Sequence, residues 1–236
     1  MSANHAAFNL IFRFVENYIS PIAGRISSQR HVMAIRDGFI SAMPFMIVGS
    51  FLLVFAYPPF SPDTTWGFAR AWLDLAKEFE GRILTPFDMT MGIMSIYICA
   101  AISYNLGKHY EKSNQLDPFM CAMLSIMAFL LIAAPKTNGT LPVDSLGGTG
   151  IFTAILVAIY CVEMMRFLKA HNIGIRLPDQ VPPMIKNSFD LLIPVLVVVL
   201  TLYPLSLFIQ YHFDMLIPQA IMAIFKPLVS AADSLP

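Results

Sequence analysis

Apolar residues fall into long runs separated by shorter polar connectors. Five stretches contain no Asp, Glu, Lys or Arg: Phe39–Tyr57, Met89–Leu106, Phe119–Ala134, Leu146–Val162 and Leu191–Ile209. They are 19, 18, 16, 17 and 19 residues long. A hydrocarbon core of about 30 Å needs roughly 20 apolar residues as helix, with a range near 17–25. Phe119–Ala134 falls short, at about 24 Å by helical rise. Pro118 and Pro135 bracket it, so it reads as tilted, interfacial or partly re-entrant. The pattern predicts an all-α fold, a polytopic membrane helical bundle of about five transmembrane helices.

Both ends add to that picture. Phe8, Phe12, Val15, Ile19, Ile22 and Ile26 recur every three or four residues, while Arg13, Glu16, Asn17 and Arg25 lie off the stripe. This is an amino-terminal amphipathic helix. It either lies in the membrane interface or packs on the bundle's end or in a dimer, and Pro21 bends it near its end. No basic segment leads directly into an apolar run and a small-residue cleavage site, so the start is not a signal peptide. After the fifth run, Met215–Phe225 is apolar for eleven residues, broken by Pro218 and Gln219. That is too short to span and suits an interfacial or re-entrant segment. The chain then stops at Ser234-Leu235-Pro236 without a polar cap and reads as interrupted. Three parts result: a cytoplasmic amphipathic segment 1–38, a membrane domain 39–209 and an apolar tail 210–236.

Composition agrees with lipid. Of 236 residues 57% are hydrophobic and 13% charged, against about a quarter charged in soluble domains, and mean hydropathy is +0.66. The 30 charges, 15 of each sign, would place about 11 in the five stretches if scattered at random. Net charge is zero, which removes the basic face that nucleic acid requires. The balance hides an asymmetry. Arg13, Arg25, Arg30 and Arg36 precede the first run, Lys108 and Lys112 follow the second, and Arg166, Lys169, Arg176 and Lys186 follow the fourth. The alternate segments hold Arg70, Lys77, Arg82, Lys136 and Lys226. Ten against five predicts a cytoplasmic amino terminus.

Soluble-enzyme chemistry is sparse. Cys99, Cys121 and Cys161 fall inside the predicted spans without CxxC spacing and read as buried small hydrophobes. His5, His31, His109, His171 and His212 are scattered in loops or termini, where a solvated or headgroup-facing position is expected. Walker, GxGxxG and HExxH patterns are absent. Gly147-Gly148-Thr149-Gly150 could be an anion nest but reads better as a close-packing or helix-starting element. No ionisable group lies at mid-span, which weakens ion-coupled transport. The polar groups at depth are Ser41, Ser50, Ser95, Ser103, Tyr97, Tyr104, Ser125, Thr153, Thr201 and Tyr203. They could line a sugar path, but interhelical hydrogen bonding is the expectation for each singly. Pro44, Pro194 and Pro204 imply kinked or broken helices.

The most distinctive stretch is the cytoplasmic linker 176–190 and its continuation, in which Pro178, Pro182 and Pro183 forbid a continuous helix. It is a rigid connector or a hinge carrying relative motion of two domains, with Pro178, Asp179, Pro182, Pro183, Ser188 and Pro194 as its structural positions. The run LPDQVPPMIKNSFDLLIP at 177–194 closely resembles the signature of the membrane IIC component of the lactose/cellobiose/diacetylchitobiose branch of the bacterial phosphotransferase system. HVMAIRDGFISAMPFMIVGS at 31–50 and MGIMSIYICAAISYNLGKHYE at 91–111 agree with it.

That resemblance implies a permease component in the bacterial cell membrane that imports a β-linked disaccharide for coupled phosphorylation. The phosphoryl group comes from the phosphocysteine of a soluble IIB partner, itself fed by IIA. The family has an amino-terminal helical domain forming a homodimer interface, then a transport domain with re-entrant hairpins that holds the sugar. The chain is about half the family's length, so the expectation is a truncated product lacking the sugar-binding half. The family's sugar-binding histidine and glutamate lie in that transport domain. None of the five histidines matches, nor do Glu16, Glu78, Glu80, Glu111 and Glu163. No catalytic, substrate-binding, metal or cofactor residue is therefore carried over. The alternatives are a non-transporting membrane scaffold that dimerises with a longer relative, and an unrelated small-solute carrier.

Overall fold

A computed structural model describes residues 16–17, 20–135, 139–175, 178, 180, 182, 185 and 189–233. Among these the fold is helical, with no β-strand. A short α1 (Ser20–Ser27) leads into α2 (Arg30–Ala56), which carries the first charge-free run. Pro21 sits in the first turn of α1 rather than at the end of a helix, a position where a missing N–H is tolerated. Phe8, Phe12, Val15 and Ile19 of the amphipathic stripe lie outside the described residues, and Ile26 is exposed.

The connector 58–88 proves to contain α3 (Gly67–Asp88), 22 residues long. Charge conceals it, because Arg70, Asp74, Lys77, Glu78, Glu80, Arg82 and Asp88 interrupt any apolar run. Only Ala69 and Ala76 are buried. α3 folds back on the far end of α2, where Trp72 Nε1 donates to the Phe55 carbonyl at 3.2 Å and Tyr57 donates to Glu80 Oε1 at 2.9 Å.

The remaining helices are α4 (Met94–Asn114), α5 (Pro118–Ala133), α6 (Ile151–Ala170), α7 (Leu192–Phe213) and α8 (Ile217–Asp233). α4 starts five residues inside the second charge-free run and continues past it through Lys108, Glu111 and Lys112. It is the central helix, burying Ser95, Ile98, Cys99, Ile102, Ser103, Leu106, Gly107 and Tyr110 against α2, α5 and α6. α2 packs on it through small buried residues, Ala34, Gly38 and Ala42, and Gly49 lies on Thr90 and Met91 just before it. A Cβ on Gly38 would lie 2.9 Å from the Ile102 nitrogen, so glycine lets the two backbones touch, as close packing in lipid favours. α5 begins on Asp117, whose carboxylate accepts from the N–H groups of Phe119 and Met120, with Pro118 in the first turn.

Contacts along the helices give their directions. Gly38 lies on Ile102 and Phe45 stacks on Tyr97, so α2 and α4 are antiparallel. Gly107 lies on Cys121, Tyr110 reaches Glu163 and Tyr160 meets Thr201, so α4, α5, α6 and α7 alternate as well. Five helices thus run between two ends of the bundle. By length and composition α2, Gly148–Ala170 and α7 are able to cross a membrane. α5 is short at 16 residues, and α4 is enclosed and carries a polar face.

Several local expectations change. Pro44 and Pro204 lie within uninterrupted helices, and Pro194 occupies the first turn of α7, so none of the three breaks a span. Four of the ten hydroxyls at depth bond to carbonyls of their own helix: Ser41 to Asp37, Ser50 to Ile47, Ser103 to Cys99 and Thr201 to Val197. This local bond satisfies the hydroxyl without a partner helix. Ser95 instead donates to the Gly147 carbonyl and Tyr97 to the Met89 carbonyl, and Thr201 also meets the Tyr160 hydroxyl of α6. Gly148–Gly150 forms a 3-10 turn that starts α6, and a Cβ on Gly150 would collide with the Ser145 carbonyl. The tail forms α8, which crosses the start of α6 with Phe225 stacked on Phe152 at 4.4 Å.

Candidate functional site

Three helix ends meet where the linker leaves the bundle: the start of α2 and the ends of α4 and α6. At their centre stands Glu163. Its Oε1 accepts from the Tyr110 hydroxyl at 2.7 Å and lies 2.9 Å from His31 Nε2, while Oε2 pairs with Arg166 Nη2 at 2.6 Å. The Arg30 and Arg166 guanidiniums sit 5.5 and 4.9 Å from the Tyr110 ring centroid, within cation–π range. One carboxylate therefore joins α2, α4 and α6. Hydrogen bonds to a charged group contribute about 1.5–3 kcal/mol each, so half-buried Glu163 is a substantial fastening. His31 thus departs from the headgroup-facing position expected of it.

A second fastening joins the two ends of the linker. Lys169 near the end of α6 donates from Nζ to the Gln115 carbonyl at 2.6 Å and lies 3.5 Å from Asp190 Oδ2. Gln115 and Asn172 adopt φ of 53° and 56°, each turning the chain sharply where a helix ends. Between them is a cavity of about 210 Å³ lined by Gln115, Lys169, Asn172, Asp190 and Pro194 among others. Of the expected linker positions, Pro178 and Pro182 are exposed and Pro194 is buried on α7. Asp179, Pro183 and Ser188 lie outside the described residues.

The chemistry of this end is fastening and positioning. Among the described residues no group of three or more His, Cys, Asp or Glu is placed to hold a metal. Cys99, Cys121 and Cys161 are free thiols within the core. Sequence reasoning missed the Glu163 cluster because His31 and Glu163 are 132 residues apart, and nothing local to His31 announces a partner. The available signal was the placement of Glu163 and Arg166 at i and i+3, directly after a charge-free run.

Antiparallel apolar helices tied at one end by a polar cluster define a polytopic helical membrane protein. Residues 36–234 match the family described as phosphotransferase system, EIIC, and the chain belongs to that family. It is 35% identical over 206 residues to the cellobiose-specific EIIC component of Geobacillus stearothermophilus, covering 79% of this chain and 43% of that one. It is 33% identical over 219 residues to the lactose-specific EIICB component of Streptococcus mutans serotype c, covering 90% and 37%. Among solved structures it superposes on the transporter ChbC, the IIC component from the N,N'-diacetylchitobiose-specific phosphotransferase system. The TM-score is 0.76 at 31% identity, over 93% of this chain and 52% of ChbC. The chain spans about half or less of the length of these relatives.

Proposed function

We propose that these 236 residues form the interface-type half of a phosphotransferase sugar permease that imports a β-linked disaccharide of the cellobiose, lactose or chitobiose type. The observation that carries this reading is the family match over residues 36–234. The names of the relatives supply the sugar class. The amino terminus is cytoplasmic, the chain pairs with a second copy, and soluble IIB and IIA components deliver the phosphoryl group. Segment 1–38 lies at the cytoplasmic surface, 39–209 forms the membrane domain and 210–236 leads toward the transport domain.

The linker is the hinge between α6 and α7, with Pro178, Asp179, Pro182, Pro183, Ser188 and Pro194 as its stiff elements. The Lys169–Asp190 contact supports a fixed pivot, because it ties the last turn of α6 to the final residue of the linker.

A chimera tests the reading. These residues replace the matching segment of the Geobacillus stearothermophilus cellobiose component, and cells also supply IIA and IIB. The expected result is accumulation of phosphorylated cellobiose by the chimera and none by the 236-residue chain alone. A chimera that reaches the membrane yet accumulates nothing overturns it.

A further inference from the structure

At the opposite end of the bundle from the Glu163 cluster, the junction of α2 and α3 forms an open cavity of about 500 Å³. That lies within the roughly 300–1,000 Å³ of small-molecule sites. Tyr57 and Pro58 form part of one wall, and Arg70, Asp74, Lys77 and Glu80 project from successive turns of α3. Arg70, Asp74 and Lys77 are spaced for pairing along one helix face, yet none makes an ion pair among the described residues. Their donors and acceptors remain open to a ligand. Two cations and two anions around one cavity cancel, which favours neither a cationic nor an anionic ligand. The balance suits a neutral molecule rich in hydroxyl groups, each able to donate and accept. Tyr57 donates its hydroxyl to Glu80 Oε1, and the Glu80 carboxyl group keeps further lone pairs to accept with.

We propose that this cavity is a capture site for a neutral disaccharide on the face away from the linker, held by Arg70, Asp74, Lys77 and Glu80 against Tyr57. Its ligand class rests on the proposed permease reading; its geometry does not. With the proposed cytoplasmic amino terminus, the site faces the side from which an imported sugar arrives.

The protein carries its own reporter. Its two tryptophans, Trp66 and Trp72, belong to one aromatic cluster with Phe55, Phe60 and Phe68 beside this cavity. Trp72 precedes the lining residue Leu73 and is fixed to the Phe55 carbonyl. Cellobiose and lactose are titrated into the purified chain while tryptophan emission is recorded. A saturable change is expected, with half-saturation raised about tenfold or more in Arg70→Ala and Glu80→Gln. Arg70 is exposed, so its variant tests the site without disturbing packing. No saturable change up to roughly 100 mM sugar, or half-saturation in both variants unchanged from the unsubstituted chain, overturns the proposal. Either outcome leaves the chimera result untouched, so the two readings fail separately.

Discussion

Glu163 shows how one side chain can set the geometry of a helix bundle. Glu163→Gln keeps the shape and the Tyr110 contact but removes the charge that faces His31 and Arg166. Losing charge assistance in half-buried hydrogen bonds costs about 1–3 kcal/mol. Glu163→Gln is therefore expected to lower Tm in detergent, and His31→Ala to cost less when combined with Glu163→Gln than in the wild type. Additive costs in that double-mutant cycle would show that the pair is not coupled. Gly38 makes the complementary point for packing. A branched side chain there drives into Ile102, and Gly38→Val should cost about 1–3 kcal/mol or more, read by the same melt.

At the level of elements, Lys169 and Asp190 decide how firmly α7 is seated. The pair is partly exposed and worth at most about 1 kcal/mol. Asp190→Asn should thus speed amide exchange at Val195 and its neighbours about fivefold while leaving α4 and α5 protected. Uniform acceleration would mean that the contact stabilises the whole bundle and not the pivot. The elements themselves were legible to different degrees. Five helices were readable because lipid excludes charge, so a charge-free run reports a buried or lipid-facing segment directly. α3 was not readable. It begins and ends at one end of the bundle, and a helix that never crosses has no reason to exclude charge. The boundaries of α4 were displaced for a related reason. Its last turns extend past the apolar run to bring Tyr110 to Glu163, a requirement set by a residue 53 positions away. Of the candidate site, the linker's prolines were visible in the sequence, whereas the partners that fasten its ends come from three separate helices.

For the whole molecule, the stretches that carry the family resemblance converge. Residues 31–50 and 91–111 are the antiparallel pair that touches at Gly38 and Ile102, and 177–194 ends at the Lys169 contact. The bundle therefore has two chemically distinct ends. One gathers Arg30, Lys108, Lys112, Arg166 and Lys169, and the other gathers Trp66, Trp72 and Phe60. Basic residues favour the cytoplasmic side, and aromatic belts mark the membrane–water boundary. This supports the proposed orientation, and single cysteines can test it. The three native thiols are all 0% exposed, so an impermeant maleimide should find little background. Asp63→Cys lies in the exposed α2–α3 connector and Ser113→Cys in the exposed last turn of α4. Asp63→Cys should label in intact cells, and Ser113→Cys only after permeabilisation. The reverse pattern would invert the orientation and move the α2–α3 cavity to the cytoplasmic face, where no incoming sugar could reach it. Labelling of both positions in intact cells would mean that they lie on one side, and the alternation of α2, α4, α5, α6 and α7 across the membrane would fall with it.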